Sequence, residues 1–257
     1  LIQLGGLARE TTDLELVVLV APITFRHPAV LAKTGSTLDI MSGGRFTLGV
    51  GTGWMDMEHE VFGIPYPDRK ERFAMLEEAL AYLYAAFDPR HPGYDGERYR
   101  LKDFPIAPMS ARRVPLLVGG VGAHKTPRLA GTYADEFNVY PGADFAERIQ
   151  RCREAAVAAG RDPDAIRISS AGQVIAKATQ AEFDEYLDEV AVERGMTRGE
   201  LDEYFAARRP PQGTFEQVRA ILDEMHAAGM QRFYFQGLYS NGDTGALLDG
   251  LGIGLEG

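Results

Sequence analysis

Short apolar runs alternate with segments of helical periodicity from one end of this 257-residue chain to the other. The runs are Leu14–Val20, Phe46–Val50, Val114–Val118, Phe137–Tyr140, Ile166–Ile175 and Arg232–Gln236. The first of them, LELVVLV, is continuously apolar, as expected of a strand buried on both faces. Between the runs, Pro28–Leu38, Arg69–Phe87, Lys125–Ala134, Phe145–Ala159 and Thr214–Gly229 read as helices, and Ala181–Arg208 reads as a mainly helical, heavily charged stretch. Strand and helix in alternation, without repeat or linker, predict a parallel sheet with crossover helices in a single domain spanning 1–257. About six strands are legible, whereas a closed (β/α)8 TIM barrel needs about eight. The chain opens at Leu1 without an initiator Met, and Leu1–Ala8 resembles the tail of a helix. One or two strands missing at the N-terminus would account for the count. An open doubly wound sheet is the competing fold.

The formal net charge of -10 argues against non-specific binding to nucleic acid or to an anionic membrane surface. No transmembrane run or secretory signal is visible, and cytoplasm is the default expectation. A single cysteine, Cys152, excludes an internal disulfide framework and lies in a helical run, where it is expected to have no chemistry.

Leu38–Glu60 (LDIMSGGRFTLGVGTGWMDMEHE) concentrates the functional signals. Gly49, Gly51 and Gly53 alternate at the strand's C-terminal end and leave backbone that a flat or anionic ligand could approach. Trp54 follows as an aromatic face, with Asp56, Glu58 and Glu60 as carboxylates. The plainer alternative is a tight strand-to-helix turn with no ligand. The spacing is not that of the dinucleotide fingerprint.

Gly119–Thr126 (GGVGAHKT) is the best anion site in the sequence. Its glycines expose N–H groups, a helix begins near His124–Thr126, Lys125 adds charge and Thr126 a hydroxyl. A plain turn is again the alternative, and the spacing to Lys125 is not that of a P-loop. His27, between Arg26 and Pro28, is expected to play a structural part at a helix start. Glu58 and His59 are acid/base candidates, both expected to be exposed. Neither His27 nor His59 has metal-ligand spacing to another His, Cys or carboxylate, so no metal is expected, and there is no nucleophile elbow, zinc signature or kinase set.

Taken together, these motifs resemble the bacterial-luciferase-like monooxygenase superfamily. The resemblance is carried by Arg26-His27-Pro28, Ser42-Gly43-Gly44-Arg45, Gly49-Val50-Gly51-Thr52-Gly53-Trp54 with Glu58, Phe62-Gly63-Ile64-Pro65, Pro115–Gly120 with Lys125-Thr126, and Tyr133-Ala134-Asp135 with Asn138. The pattern is most similar to actinobacterial oxidoreductases that use the deazaflavin coenzyme F420. It implies a (β/α)8 barrel with a flavin or deazaflavin in its mouth. Gly119, Gly120, Gly122, Ala123, Lys125 and Thr126 then lie where members hold the cofactor phosphate. Thr52 and Gly53 match a loop lining the ring or its side chain. Leu19, Val20 and Ala21 match a strand end where many members have a non-prolyl cis peptide. Members usually carry about fifty further N-terminal residues, and no residue here matches a required acid/base.

The resulting expectation is an oxidoreductase that moves a hydride between F420 and a small organic substrate. Trp54, Asn138 and Tyr140 would shape the substrate side, and Glu58 would be a proton-donor candidate. An FMN-dependent monooxygenase on the same fold is the alternative, and a non-catalytic or degenerate barrel is the alternative of another class. Family members are often dimers, which makes a homodimer an expectation from resemblance alone.

Overall fold

The computed structural model describes residues 1–90, 92–103, 107–236 and 244–253. Its contacts divide the chain into two compact units, one of 1–138 with 150–166, the other of 139–149 with the residues from 167 onward.

The first unit opens with α1 (Ile2–Glu10), β1 (Leu16–Val17), β2 (Ala21–Pro22) and α2 (Pro28–Met41). There follow β3 (Phe46–Gly51), α3 (Asp56–Phe62), α4 (Arg69–Ala86), the antiparallel hairpin β4 (Tyr94–Asp95) and β5 (Arg100–Leu101), β6 (Leu116–Gly120), α5 (Lys125–Tyr133), β7 (Glu136–Val139) and α6 (Phe145–Ala158). The last two elements run across the boundary between the units. β1 and β2 both pair in parallel with β3, β3 pairs in parallel with β6, and β7 lies beside β6. Phe46, Leu48 and Val50 on β3 and Leu116, Leu117 and Val118 on β6 are fully buried or nearly so, which makes these two strands the centre of the unit's core. Leu76, Leu80 and Leu83, four and three residues apart on α4, bury the stripe that its helical spacing predicts.

The predicted continuous strand Leu14–Val20 is not one strand. Leu16–Val17 and Ala21–Pro22 pair with the two ends of β3, and the chain between them leaves the ladder. The Leu19–Val20 peptide is cis. Leu14 is exposed rather than part of a buried strand. The β3 glycines explain the bulge. A Cβ on Gly49 would lie 1.9 Å from the Val18 carbonyl oxygen, and one on Gly51 would lie 2.8 Å from Val20 Cγ2. The bare backbone expected to admit a ligand at Gly49 and Gly51 instead admits the chain's own Val18–Val20 segment.

Three polar anchors hold this unit. Arg112 Nη2 donates to Asp39 Oδ1 at 2.7 Å and to the Phe46 carbonyl at 3.0 Å, which joins α2, β3 and the approach to β6. Asp39 is buried, so its charge needs this partner. Arg45 donates to the carbonyls of Ala8 and Thr11 and so fastens α1 to the entrance of β3. Arg98 binds Glu78 Oε1 at 2.5 Å and Glu71 Oε2 at 2.9 Å, and thereby fastens the hairpin to α4. His27 plays the structural part expected of it: its Nδ1 accepts from the Ala29 amide and caps α2.

The second unit contains β8 (Arg167–Gln173), β9 (Ile175–Lys177), α7 (Gln180–Glu193), α8 (Arg198–Arg208), β10 (Gln212–Thr214), α9 (Phe215–Ala227), β11 (Arg232–Gln236) and α10 (Thr244–Leu251). β8 and β11 form one parallel pair, and β9 and β10 form another. The predicted strand Ile166–Ile175 therefore divides after Gln173. The charged stretch read as one helical region is two helices, broken at Gly195, whose φ of 64° favours glycine. Thr214 and Gln217 form the capping box expected at the start of α9. Among the described residues, no helix is long and apolar enough to cross a membrane. Residues 237–243, which follow the last strand, lie outside the described residues.

Candidate functional site

Every residue proposed from the sequence to hold a cofactor falls in the first unit. The side chains group around two places.

One is a cavity of about 540 Å³ lined by Arg69, Lys70, Phe73, Gly122, Ala123, His124 and Lys125. Two local features create it. The β6–α5 turn keeps its backbone bare, because a Cβ on Gly122 would meet Thr126 Oγ1 at 2.5 Å. No side chain caps α5, so its first-turn N–H groups face outward without a protein acceptor from a cap. Opposite them, the first turn of α4 contributes Arg69 and Lys70. Phe73, one turn further along α4, stands between the charges: Lys125 Nζ lies 5.3 Å and Arg69 Cζ 5.8 Å from its ring centroid.

The charge pattern is one-sided. The lining holds no carboxylate. Among the described residues, Arg69, Lys70 and Lys125 enter no ion pair, whereas Arg98, Arg112, Arg113, Arg128, Arg148 and Arg198 all do. In a chain of net charge -10, three cations without ion-pair partners thus face one cavity at a helix N-terminus, an arrangement whose field favours negative charge.

The second place is the packed end of β3, β6 and β7. A Cβ on Gly119 would meet Val20 Cγ1 at 3.3 Å and Asn138 Cβ at 3.4 Å, so Gly119 packs against both Val20 and Asn138. Asn138 is fully buried. Ala21 is buried in β2, against Val50 of β3. The Thr52–Gly53 loop is fixed through its backbone: Arg72 Nη1 donates to the Gly53 carbonyl at 2.7 Å, to the Thr52 carbonyl at 3.4 Å and to the Tyr66 hydroxyl at 2.6 Å.

The structure thus places Gly122, Ala123 and Lys125 on the cavity. Thr126 is buried beneath Gly120 and Gly122, outside the lining. Glu58 is half-buried on α3 and is not part of the lining. Trp54 is 82% exposed. His59, expected to be exposed, is 1% exposed. Its Nε2 lies 2.7 Å from Thr24 Oγ1, its Nδ1 2.6 Å from the Met55 carbonyl, and its ring lies against Phe25 and Tyr66. It is a satisfied core histidine behind the Thr52–Gly53 loop, because the short helix α3 turns that side inward.

Arg69, Lys70 and Phe73 were not legible as site residues. They sit at the start of a helix whose periodicity explains Phe73 as core. Only the fold brings that helix start against the β6–α5 turn. Among the described residues, no group of three or more His, Cys, Asp or Glu side chains is placed to hold a metal.

The sequence profile of a family described as luciferase-like monooxygenase matches residues 1–244. An F420-dependent glucose-6-phosphate dehydrogenase of Microbacterium testaceum is 34% identical over 142 residues, which is 55% of this chain and 42% of that protein. The matched stretch thus spans about two fifths of the length of curated relatives of this kind. The structure of an F420-dependent secondary alcohol dehydrogenase with an F420–acetone adduct superposes with a TM-score of 0.78 at 20% identity, over 97% of this chain and 81% of that one. A riboflavin lyase bound to modified FMN also superposes at 0.78 and 20% identity, over 97% and 72%. These likenesses establish a shared α/β fold of the luciferase-like, TIM-barrel type.

Proposed function

We propose, since this chain belongs to the luciferase-like monooxygenase family, that it is an oxidoreductase using the deazaflavin F420 to transfer a hydride to or from a small organic substrate. The observation that carries this reading is the acid-free cavity between the starts of α4 and α5. Its donors suit the phosphate of a flavin-like cofactor: unpaired Arg69, Lys70 and Lys125, uncapped N–H groups, and the bare backbone at Gly122. The family matched over residues 1–244 and the F420-dependent relative support the deazaflavin as the occupant.

When bound, the deazaflavin supplies the hydride donor or acceptor carbon. The chain's own part is to bind and orient. Lys125 and Arg69, both set against Phe73, would attract and hold the anionic end of the cofactor. Val20, packed on Gly49, Gly51 and Gly119, gives a rigid apolar surface at the strand ends. Arg72 keeps the Thr52–Gly53 backbone in one conformation. Glu58, half-buried on α3, is our candidate for holding the proton that accompanies the hydride.

FMN is the second reading, favoured by the riboflavin lyase likeness and by a phosphate monoester that the same cations would take. Titration of the purified protein with F420 and, separately, FMN distinguishes them by fluorescence quenching or calorimetry. Micromolar or tighter F420 binding, weakened roughly 10- to 100-fold in Lys125→Ala and in Arg69→Ala, supports the reductase; one lost charge-assisted hydrogen bond has that effect. Tight FMN and weak F420 binding moves the assignment to a flavin monooxygenase. Binding of neither overturns both.

A further inference from the structure

The second unit carries a pair of amides that neither its core nor the anion cavity explains. β8 and β11 run parallel with Gln173 opposite Gln236 in register, and these are the last residues of the two described strands. The C-terminal ends of parallel strands are where α/β folds bind ligands.

The face on which these amides lie follows from the period of two along each strand. Val174 and Ala176 are buried in a cluster with Val218 and Leu247, and Phe233 and Phe235 pack against it. A Cβ on Gly172 would point at Phe233, 3.7 Å from its Cζ. Gly172, Phe233 and Phe235 therefore share the face turned toward α9 and α10. Gln173, Tyr234 and Gln236 alternate with them and share the other face. Tyr234 stands one layer below the amides, and its hydroxyl accepts from Arg232 Nη1 at 3.1 Å.

Both glutamine side chains are half-buried, and among the described residues neither makes a hydrogen bond. Neighbouring strands place their Cα atoms about 4.8 Å apart. Each amide offers both a donor and an acceptor. Neither carries charge, so the pair gives no advantage to a phosphate or a carboxylate. A purely apolar ligand would leave both amides unsatisfied. A hydroxyl also donates and accepts, and two hydroxyls on adjacent carbons match two adjacent amides.

We infer that Gln173 and Gln236 form a subsite for a neutral ligand bearing a vicinal diol. The inference holds whichever cofactor the first unit takes, because it concerns hydrogen bonding in the second unit only.

The test uses cis-cyclohexane-1,2-diol and cyclohexanol as a matched pair of probes. Binding of each to the purified full chain is followed by saturation-transfer NMR titration, without cofactor. The diol is expected to bind at least about tenfold more tightly, as sites built to hydrogen-bond a hydroxyl reject the analogue that lacks it. Gln173→Met and Gln236→Met keep side-chain length and apolar volume. Each is expected to reduce the preference several-fold, and the double variant to abolish it with the melting temperature unchanged within about 3 °C. Equal binding of the two probes by the unaltered protein, binding of neither, or a preference that survives in the double variant overturns the inference. Failure of F420 binding leaves this result untouched, so the two proposals fail separately.

Discussion

His59 Nε2 lies 2.7 Å from Thr24 Oγ1. The other ring nitrogen, Nδ1, faces the Met55 carbonyl at 2.6 Å. A carbonyl only accepts, so Nδ1 carries the proton and Nε2 accepts from the threonine hydroxyl. The pair ties the loop after β2 to α3, on the side where Arg72 and Tyr66 hold the Gly53 carbonyl. His59→Phe keeps the ring volume but leaves a hydroxyl and a carbonyl without their partner. We expect it to lower stability by about 1–3 kcal/mol. His59→Ala, which adds a cavity, should lower it by about 3–5 kcal/mol. Urea unfolding with an unchanged m-value checks both.

Gly49→Ala should be among the most damaging substitutions in the first unit. Its Cβ would lie 1.9 Å from a backbone oxygen, which no rotamer change relieves. We expect a loss of more than about 4 kcal/mol, or insoluble protein. Gly43→Ala is the control: its φ is 66° but nothing lies within 4 Å of the added carbon, so only about 1–2 kcal/mol should be lost. Gly51→Ala meets a side chain instead, Val20 Cγ2 at 2.8 Å. Val20→Ala in the same chain should recover part of its cost, a coupling that a double-mutant cycle would measure.

Acid should loosen the hairpin on α4. Burial pushes the Glu78 carboxyl up, but the Arg98 backbone amide and guanidinium outweigh it and hold the group below its ordinary value of 4.5. The hydrogen bond from the Arg98 side chain also lowers Glu71. A carboxyl lowered in the folded state adds stability above its unfolded value, and that contribution is lost as pH falls through the folded value. Stability should therefore decline below about pH 4.5, and Arg98→Leu should lower stability at pH 7 and flatten that decline. Chemical denaturation at a series of pH values gives both slopes.

Cys152 should be inert until the protein opens. It is fully buried, and burial pushes its thiol up to about 12. Labelling by an aromatic disulfide reagent should be at least about a thousandfold slower than for a free thiol, and should reach the free-thiol rate in denaturant. Fast labelling of the native protein would contradict this placement.

The elements that local chemistry specifies were legible. The α4 stripe, the Thr214 capping box, the His27 helix start and the run Phe46–Val50 depend on residues a few positions apart, and the structure contains each. Leu14–Val20 is not legible as a broken strand, because an apolar run is equally consistent with a strand and with a bulge pressed onto glycines of another strand. The burial of His59 is hidden for a related reason: charged neighbours at 58 and 60 suggest solvent, whereas the turn of a short helix separates their directions.

By itself, the sequence determined the strand and helix alternation, the parallel arrangement that follows from it, and the glycine-rich turn from strand to helix at Gly119–Thr126. Those properties reside in periodicity, capping and turn chemistry, which act over one or two turns of chain. Only the tertiary structure decided what occupies the bare backbone of Gly49 and Gly51, and which cations face the glycine-rich turn. Arg69 and Lys70 precede Lys125 by more than fifty residues. Nothing in their local sequence distinguishes them from other surface cations. Their role depends on a cavity without carboxylates, and a cavity exists only once separate elements have packed.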